Sequence, residues 1–372
     1  MSSACRNCIS VTFHFRCWSF PNLHSAASSD ARCSPGRHFS SRQTCAPTPG
    51  IRSVAETCIL NFDDPADYAV ILGARVNLTI SGAGDFKVQA RRLQLNGLEA
   101  YRCQESLPRI AYMRPPARQL LLSLPVGAQS LISDGFALRN GDMLLHGSSQ
   151  GTHQRCSGGC EWGLIALSLE PLAACSKALT GRPISSPRAS KILRPARADG
   201  LRFQRLFAQT WRLADNARQK LFDRPEVARA LEQELLHATI NCLMAGEADD
   251  TPKARQHHIT IMANFEKAID KRLDQKLNMP ALCAEIGLAE RTLRMCCAEF
   301  LGMSPTRYVL LRRLNKARAA LRSADPSRVT VAQVARDHQF PELGRFAVTY
   351  RNIFGESPSV TLQRNPQSAE SA

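Results

Sequence analysis

Short apolar runs, broken by glycine and proline, dominate residues 59–182. Val70-Ile71-Leu72, Leu120-Leu121-Leu122-Ser123-Leu124 and Gly163-Leu164-Ile165-Ala166-Leu167 are examples, and turn sequences such as Arg139-Asn140-Gly141-Asp142 separate them. Apolar runs of this length between turn signals are typical of β-strands. The pattern predicts a β-rich domain over residues 59–182, built as a cupin-like sandwich or barrel.

A helical period replaces the strand pattern over residues 200–246. Leu206, Phe207 and Trp211 share one amphipathic segment, and Val227 and Leu231 belong to a second. This predicts a linker of two helices. Two uses of the linker stay open: pairing with a second subunit, or packing onto the β domain. For Phe207 and Trp211 we expect a place in the core rather than contact with a ligand.

Residues 253–365 are predicted to be helical, with regular breaks. Asn278 can cap one helix and Gly287 can end it, and Ser304-Pro305 provides a cap followed by proline in the first turn. A second set of core, helix-end and helix-cap residues repeats the first at an offset of 53 residues. The matched pairs are Leu293 and Phe346, Cys297 and Tyr350, Gly302 and Gly355, Ser304 and Ser357, and Pro305 and Pro358.

Each copy of the repeat predicts a helix-turn-helix. A short helix (281–286, then 331–337) precedes a tight break and a second helix that carries arginine. In a helix-turn-helix the second helix enters the DNA major groove, where arginine reads guanine and contacts phosphate. Arg291 and Arg294 supply this chemistry in the first copy, and Arg345 and Arg351 in the second.

Charge supports the same interpretation. The chain of 372 residues has a formal net charge of +16, and residues 253–365 hold 19 basic and 10 acidic residues. A folded helical segment with this excess is typical of a surface that binds a polyanion, although charge that only promotes solubility is the alternative. The partner predicted for this domain is double-stranded DNA.

At these motifs the sequence resembles the AraC/XylS family of bacterial transcription regulators. The resemblance covers about 105 residues, and the segments that carry it are Leu282-Cys283-Ala284-Glu285-Ile286-Gly287-Leu288, Phe300-Leu301-Gly302-Met303-Ser304-Pro305, Arg313-Leu314-Asn315-Lys316-Ala317-Arg318, Gly344-Arg345-Phe346 and Phe354-Gly355-Glu356-Ser357-Pro358. The β region and the linker are similar to that family's effector-sensing and linking parts in outline only.

The resemblance implies a regulator with two recognition helices in successive major grooves. By position, the residues that would read bases are Arg291, Arg294 and Met295 in the first copy and Gly344, Arg345 and Val348 in the second. Arg351 would hold phosphate. The resemblance also implies RNA polymerase, a small-molecule effector and a second copy of the chain as partners, and a cytoplasmic location.

Some positions depart from the family pattern. Ala289 stands where a capping serine is usual, Gln339 where a turn glycine is usual, and Cys297 where a core aromatic is usual. Met295 and Val348 occupy positions that are often polar or basic, and Val348 could instead touch a thymine methyl group. These departures concern the DNA-reading residues and leave the fold prediction unchanged.

Cysteine usage indicates a reducing compartment. Six of the 14 cysteines lie in the first 58 residues and the others are scattered through regular segments. Cys5-x-x-Cys8 and Cys156-x3-Cys160 each resemble half of a zinc site, but neither has a second pair at suitable spacing, so no metal is expected. Residues 1–55 show no sustained period and are expected to be a disordered or mis-started extension.

The sequence excludes several function classes. Its apolar runs are far shorter than the roughly 18 to 20 residues that cross a bilayer. His146 and His153 do not complete a cupin metal motif, and no nucleophile elbow, phosphate loop or dinucleotide fingerprint is present. We expect a regulator without cofactor or catalysis. A constitutive dimeric DNA-binding factor is the first alternative, and a cupin-type enzyme fused to a DNA-binding module is the second.

Overall fold

The computed structural model describes residues 55–72, 75–215, 224–245, 247–248, 253–273, 275 and 278–364. The prediction for residues 1–55 therefore lies outside the described residues, apart from Ala55. Within the described ranges, every helix is too short or too polar to cross a membrane.

Thirteen antiparallel strands are described, arranged in two sheets. They are β1 Glu56–Phe62, β2 Arg75–Ile80, β3 Val88–Gln94, β4 Leu98–Glu105, β5 Arg109–Arg114, β6 Gln119–Pro125, β7 Leu131–Ser133, β8 Phe136–Leu138, β9 Met143–Leu145, β10 Thr152–Cys156, β11 Cys160–Ser168, β12 Lys191–Arg194 and β13 Glu247–Ala248. One sheet has the order β1-β3-β4-β11-β6-β9-β12-β13 and the other β2-β5-β10-β7-β8. The predicted β sandwich is confirmed.

Strand β11 shows how the larger sheet is buried on both faces. Trp162 and Leu164 belong to the core between the two sheets, whereas Ile165 and Leu167 belong to a second core on the opposite face. Because successive side chains of a strand point to opposite faces, a strand covered on both sides is apolar throughout. This explains the unbroken apolar run that the sequence shows at this strand.

The second core is completed by helices α3 (Arg197–Asp215) and α4 (Pro225–Ala245). Phe207 and Trp211 of α3 are only 3% and 1% exposed, and both pack in this core with strand residues. A Cβ atom at Gly163 would come within 2.7 Å of the Phe207 ring, so a glycine lets the helix approach the sheet. The expectation that these aromatic residues are core is confirmed, as is packing of the linker onto the β domain.

Two helices lie within the β-rich region 59–182, where the apolar runs predict strands. Val70 and Ile71, predicted as strand, lie in helix α1 (Pro65–Ile71), where the Asp64 side chain accepts a hydrogen bond from the Ala66 backbone N–H and proline occupies the first turn. Helix α2 (Leu169–Thr180) follows β11. Capping by Asp64 and the fixed φ of Pro65 favour the helix over the strand that the apolar run suggested.

Seven helices are described after residue 252, in the positions that the repeat predicts. They are α5 Lys253–Arg272, α6 Met279–Ile286, α7 Glu290–Leu301, α8 Pro305–Ser323, α9 Val331–Asp337, α10 Leu343–Phe354 and α11 Pro358–Gln363. Asn278, Ser304 and Ser357 cap α6, α8 and α11 through their side chains. Two helix-turn-helix units result, α6–α7 and α9–α10, with α8 between them.

Candidate DNA-binding surface and its contacts with the β domain

Helix α7 is the second helix of the first helix-turn-helix. Its buried side is formed by Leu293, Cys296 and Cys297, each 0% exposed. Arg291, Arg294 and Met295 are all exposed, Met295 by 51%. Residues three and four apart share a helix face, so these side chains form one exposed stripe.

Helix α10 has the same arrangement in the second copy. Phe346 and Tyr350 are buried at 2% and 0% exposure and fix the phase of the helix. Gly344, Arg345, Val348 and Arg351 are exposed, Val348 by 62%. The structure therefore places all seven predicted DNA-contacting residues on exposed helix faces, three on α7 and four on α10.

Arg294 and Arg345, one on each exposed face, make weak local ion pairs. Arg294 contacts Glu290 at 2.5 Å one turn earlier, and Arg345 lies 3.8 Å from Glu342. Both guanidinium groups are mostly exposed, 67% and 79%. Exposed pairs of this kind contribute little to stability, so these guanidinium groups can turn to another anion.

The turns of the two copies have the same hydrogen bonds but different residues. In the first copy Gly287 has φ +73°, and the N–H of Leu288 bonds the carbonyl of Cys283. In the second copy Gln339 has φ +63°, and the N–H of Phe340 bonds the carbonyl of Ala335. Gln339 thus takes the left-handed conformation that favours glycine.

The second turn is also one residue longer. Two residues separate Gly287 from the first residue of α7, whereas three residues, including Pro341, separate Gln339 from the first residue of α10. Neither recognition helix has a side-chain cap, because Ala289 and Glu342 make no such hydrogen bond. At position 289, alanine in place of the usual serine therefore leaves α7 without a side-chain cap.

Several basic residues of α8 make ion pairs and hydrogen bonds within the protein. Arg312 and Arg318 are only 7% and 6% exposed, and Arg318 pairs with Glu356 at 3.5 Å. Arg313 donates to the backbone carbonyls of Leu273 and Gln275. Arg312 and Arg318 are therefore not part of the excess charge that could serve only solubility.

A buried carboxylate joins the first copy to the β domain. Glu266 of α5 is 0% exposed and accepts hydrogen bonds from Tyr308 OH at 2.7 Å and from His153 Nε2 of β10 at 2.8 Å. Its other oxygen accepts from Arg312 at 2.6 Å. Because a carboxylate only accepts, the His153 proton on this side must sit on Nε2.

These partners hold Glu266 in its ionised form. Burial opposes ionisation, but the hydrogen bond from His153 and the charge of Arg312 outweigh it and lower the pKa of Glu266 to about 2. A buried charge is tolerated when it is paired and fully hydrogen-bonded. We refer to Glu266, His153, Tyr308 and Arg312 as the junction network.

A second contact lies at the turn between β7 and β8. Arg255 of α5 pairs with Glu299 of α7 at 2.7 Å and donates to the backbone carbonyl of Asp134. Asp134 accepts a hydrogen bond from the backbone N–H of His153 at 2.9 Å. Burial is the main influence on its carboxyl group and raises the pKa of Asp134 to about 6.

Helix α8 contacts the opposite end of the smaller sheet. The Asn315 side chain accepts from the backbone N–H of Ile80 at 3.0 Å and donates to the carbonyl of the same residue at 3.1 Å. Arg322 reaches Asp64 at 2.7 Å. The β domain therefore contacts both the first copy and the helix that leads to the second.

Two cavities are candidates for a small ligand. One, of about 210 Å³, lies between α1, β2 and α8 and is lined by Asp64, Asn77, Arg312, Lys316 and other residues. The other, of about 480 Å³, is an open cleft at the ends of β1, β3 and β4. The first has walls from both the β domain and the DNA-binding domain.

The sequence did not reveal the junction network. Glu266 and His153 are 113 residues apart and belong to no local motif. From the sequence, His153 is a candidate only for a cupin metal site, together with His146. In the structure His146 pairs with Ser123 at 2.7 Å and His153 with Glu266, so the two histidines have separate partners.

Comparison with known proteins matches both halves of the chain. A helix-turn-helix domain family matches residues 282–364, and an AraC-binding-like domain family matches residues 73–241. A probable thc operon regulatory protein of Rhodococcus erythropolis is 30% identical over 152 residues, 39% of this chain and 46% of that protein. A XylDLEGF operon transcriptional activator of Pseudomonas putida is 27% identical over 149 residues, 33% of this chain and 46% of that protein.

The chain thus spans about half the length of the curated relatives that it matches. Among solved structures, a probable AraC family transcriptional regulator from Rhodopseudomonas palustris is 30% identical, with 29% of this chain and 98% of that chain covered and a TM-score of 0.26. The AraC-like transcriptional activator CuxR is 12% identical, with coverages of 71% and 96% and a TM-score of 0.37. From the two family matches and the two operon regulators we conclude that the chain belongs to the AraC/XylS family of transcription regulators.

Proposed function

We propose that this regulator binds promoter DNA with α7 and α10 in successive major grooves. The observation that carries the proposal is the exposure of both arginine-bearing helix faces while their opposite sides are buried. Arg291, Arg294 and Met295 would read bases in one groove, and Gly344, Arg345 and Val348 in the next. Arg351 would hold phosphate one turn further along α10.

The assignment is tested by comparing two arginines of α10. Arg345→Ala should lose roughly 1 to 3 kcal/mol on the specific site and relax preference at one base pair, because bidentate arginine reads guanine. Arg351→Ala should weaken specific and random DNA alike. Gel-shift titrations on both DNAs measure the two effects. Equal losses on both DNAs for Arg345→Ala would show that this residue does not read a base.

Salt dependence tests the phosphate contacts independently of base roles. The logarithm of the affinity should fall linearly with the logarithm of salt concentration, by about 0.9 per phosphate neutralised. Arg351→Ala should reduce the slope by about one, and Val348→Ala should leave it unchanged. An affinity of the full-length protein that ignores salt would contradict DNA binding through this surface.

The β domain is proposed to bind a small-molecule effector. Support comes from the match of residues 73–241 to an AraC-binding-like domain and from the cavity of about 210 Å³ between that domain and α8. A ligand there would touch Asn77 on one wall and Arg312 on the other, so its affinity would depend on how the two domains are docked. A thermal-shift screen of the full chain against small metabolites, followed by gel shifts with each hit, tests this.

A constitutive dimeric DNA-binding factor is a second candidate. The observation in its favour is the dense interior of the sandwich, where Tyr68, Trp162 and Leu164 are at most 1% exposed, while both cavities lie at its edges. In this case promoter occupancy would not change with any ligand. Reporter expression that follows a metabolite bound by the purified protein would exclude this alternative.

The remaining partners follow from the proposed role. Relatives are named operon activators, and an activator acts on RNA polymerase at the promoter, so we propose polymerase contact and a cytoplasmic, DNA-associated location. We propose that the protein has no catalytic activity. A second copy of the chain is a further proposed partner, and Leu201 and Leu213 of α3, each 41% exposed, are available for that contact.

A further inference from the structure

Two connections between the sheets bring two thiols, a carboxylate and a guanidinium group together at one end of the sandwich. In the larger sheet Cys160 of β11 lies directly opposite Glu105 of β4. In the smaller sheet Cys156 of β10 lies directly opposite Arg109 of β5. The turns 106–108 and 157–159 carry the chain from one sheet to the other. We call these four residues the corner cluster.

The corner cluster is buried and compact. Its four members are between 1% and 4% exposed. Glu105 Oε2 lies 3.2 Å from Cys160 Sγ and 4.0 Å from Cys156 Sγ, and the three ligand atoms all lie within 4.8 Å of one another. In a tetrahedral zinc site with Zn–S near 2.3 Å and Zn–O near 2.1 Å, neighbouring ligand atoms are about 3.5 to 3.8 Å apart. The cluster needs only small shifts to reach that geometry.

Glu105 is already oriented as a metal-binding carboxylate usually is. Its Oε1 accepts from Tyr68 OH at 2.7 Å and from Trp162 Nε1 at 2.8 Å, and its Oε2 accepts from Arg109 Nε at 2.8 Å. The remaining direction at Oε2 faces the thiol of Cys160. Burial opposes ionisation of Glu105, but the charge of Arg109 outweighs it and the pKa of the carboxyl group is lowered.

Both thiols of the corner cluster face polar atoms. Cys160 Sγ lies 3.2 Å from Glu105 Oε2, and Cys156 Sγ lies 4.0 Å from Glu105 Oε2 and 4.0 Å from the carbonyl oxygen of Leu107. A cysteine binds a metal well only as the thiolate. Both thiols would therefore lose their protons when a metal enters the cluster.

Charge favours a divalent ion at this place. Two thiolates, one carboxylate and one guanidinium carry a total of two negative charges, which one divalent cation cancels. Binding forms two metal–sulfur bonds and one metal–oxygen bond, and releases two thiol protons to solvent. Without the ion, two neutral thiols and the Glu105–Arg109 pair are also neutral. Either state is therefore compatible with burial.

We propose that Glu105, Cys156 and Cys160 form a site for Zn²⁺ or a similar thiophilic divalent cation, with Arg109, Tyr68 and Trp162 as outer partners that orient the carboxylate. Two sulfur ligands and one oxygen leave a fourth tetrahedral position for water or a further ligand. The site is independent of the DNA-binding proposal. The proposal differs from the expectation, based on cysteine spacing alone, that no metal is bound here. The reason is that the third ligand, Glu105, lies on another strand, 51 residues before Cys156.

The test uses cobalt as a spectroscopic probe in the full-length chain. The five cysteines of residues 1–54 (Cys5, Cys8, Cys17, Cys33 and Cys45) are replaced by serine so that they cannot contribute, and the protein is reduced and freed of metal. Titration with Co²⁺ should give one equivalent of a tetrahedral species with sulfur-to-cobalt charge-transfer absorption, and Zn²⁺ should displace it. In the same background, Cys175→Ser, at a half-exposed cysteine of α2, should bind cobalt unchanged.

Variants separate ligands from neighbours. Cys156→Ser and Cys160→Ser should abolish the sulfur band or weaken binding by more than about 100-fold, and Tyr68→Phe should weaken it by about 10-fold with the tetrahedral spectrum retained, as expected for an outer partner. The absence of a sulfur band in the parent protein, or its survival in both cysteine variants, would overturn the proposal.

A second measurement does not depend on the variants folding. In the parent protein, one equivalent of Zn²⁺ should protect Cys156 and Cys160 from alkylation by N-ethylmaleimide in mild urea, while labelling of Cys175 is unchanged. Peptide mass spectrometry reads out each cysteine. Equal labelling of Cys156 and Cys160 with and without Zn²⁺ would contradict a metal site. A Cys156–Cys160 disulfide formed by exposure to dioxygen, in a protein that binds no metal, would identify a redox pair instead.

Discussion

The two helix-turn-helix copies share a sequence repeat but are stabilised by different interactions. Copy one, α6–α7, packs small residues such as Cys296 and Cys297 in its core, and the flanking helices α5 and α8 are fixed to the β domain through the buried charge of Glu266. Copy two, α9–α10, has an aromatic core in which the rings of Phe346, Tyr350 and Phe354 follow one another at 5.5 and 4.6 Å. The β domain therefore meets the two copies differently. Polar contacts lead to copy one, whereas the apolar core of copy two belongs to the same buried cluster as the core between the two sheets.

This difference bears on how a signal would travel. The junction network touches α5 and α8, which flank α7, and Arg255 links α7 directly to the turn at Asp134. A change in the β domain would therefore reach the first recognition helix through a direct polar contact. The following variants test the asymmetry, from the largest expected effect to the smallest.

Glu266→Gln should lower the free energy of unfolding by about 3 kcal/mol. It removes the buried carboxylate partner of Arg312 and leaves only Asp270, whose side chain is 48% exposed. Breaking a buried pair on one side is costly. Urea denaturation of the full-length protein measures the loss. The matched variant in copy two, Glu356→Gln, should lose less, roughly 1 to 2 kcal/mol, because its nearer partner Arg364 is 63% exposed and the buried Arg318 lies farther away, at 3.5 Å. Equal losses would show that the copies are anchored alike.

The same variant has a predicted pH dependence. Folding lowers the pKa of Glu266 to about 2, so its stabilising effect is present at neutral pH and is lost as the pH falls from about 4.5 towards 2. The difference between wild type and Glu266→Gln should therefore shrink over this acid range. A difference that stays constant from pH 7 to pH 3 would contradict the assignment.

Asp134→Asn should stabilise the protein at pH 7 by up to about 2 kcal/mol. Burial raises the pKa of Asp134 to about 6 in the folded protein. The free energy of unfolding therefore decreases as the pH rises from the pKa of Asp134 in the unfolded chain through 6. Asparagine does not ionise, so the variant does not show this decrease. Asparagine also tolerates the backbone conformation at this turn, where φ is +44°. Unfolding measured at pH 4 and pH 7 should show the gain only at pH 7.

Ala289→Ser should stabilise α7 by about 1 kcal/mol, because it adds the side-chain cap that this helix lacks. Thermal and urea unfolding measure the gain. Ala298→Ser, at an exposed position inside the same helix, is the matched control and should be neutral or slightly destabilising. A gain at both positions would attribute the effect to serine in general rather than to capping.

Gln339→Gly should stabilise the second turn by about 0.5 kcal/mol. It relieves the left-handed conformation of Gln339, and the added freedom of the unfolded chain offsets part of that gain. The reciprocal variant Gly287→Ala should destabilise the first turn by roughly 1 kcal/mol, since Gly287 has φ +73°. Opposite signs for these two changes would confirm that the turns share one geometry.

Local signals made most of the DNA-binding domain predictable. The caps Asn278, Ser304 and Ser357 and the left-handed glycines at the helix ends act within a few residues, so the sequence alone marks them. At α1 the same logic was available, in Asp64 and Pro65, but the apolar run that follows suggested a strand. Local chemistry overrode the run.

What the sequence could not predict depends on contacts between distant strands and helices. Arg312 has no local feature that separates it from Arg313, yet one is buried against Glu266 and the other reaches backbone carbonyls. The corner cluster likewise needs the register of two separate strand pairs. Such partners follow only from tertiary packing, because sequence spacing carries no information about them.

The two hydrogen bonds between the Asn315 side chain and the backbone of Ile80 also have a consequence for self-association. Strand β2 is the edge of its sheet, and edge strands with free backbone groups tend to pair with another chain. At Ile80 one amide side chain satisfies both the N–H and the carbonyl, as a neighbouring strand would. Separation of α8 from the β domain would uncover this edge. Conditions that undock the DNA-binding domain would then favour edge-to-edge association of the β domains, and docking protects against it.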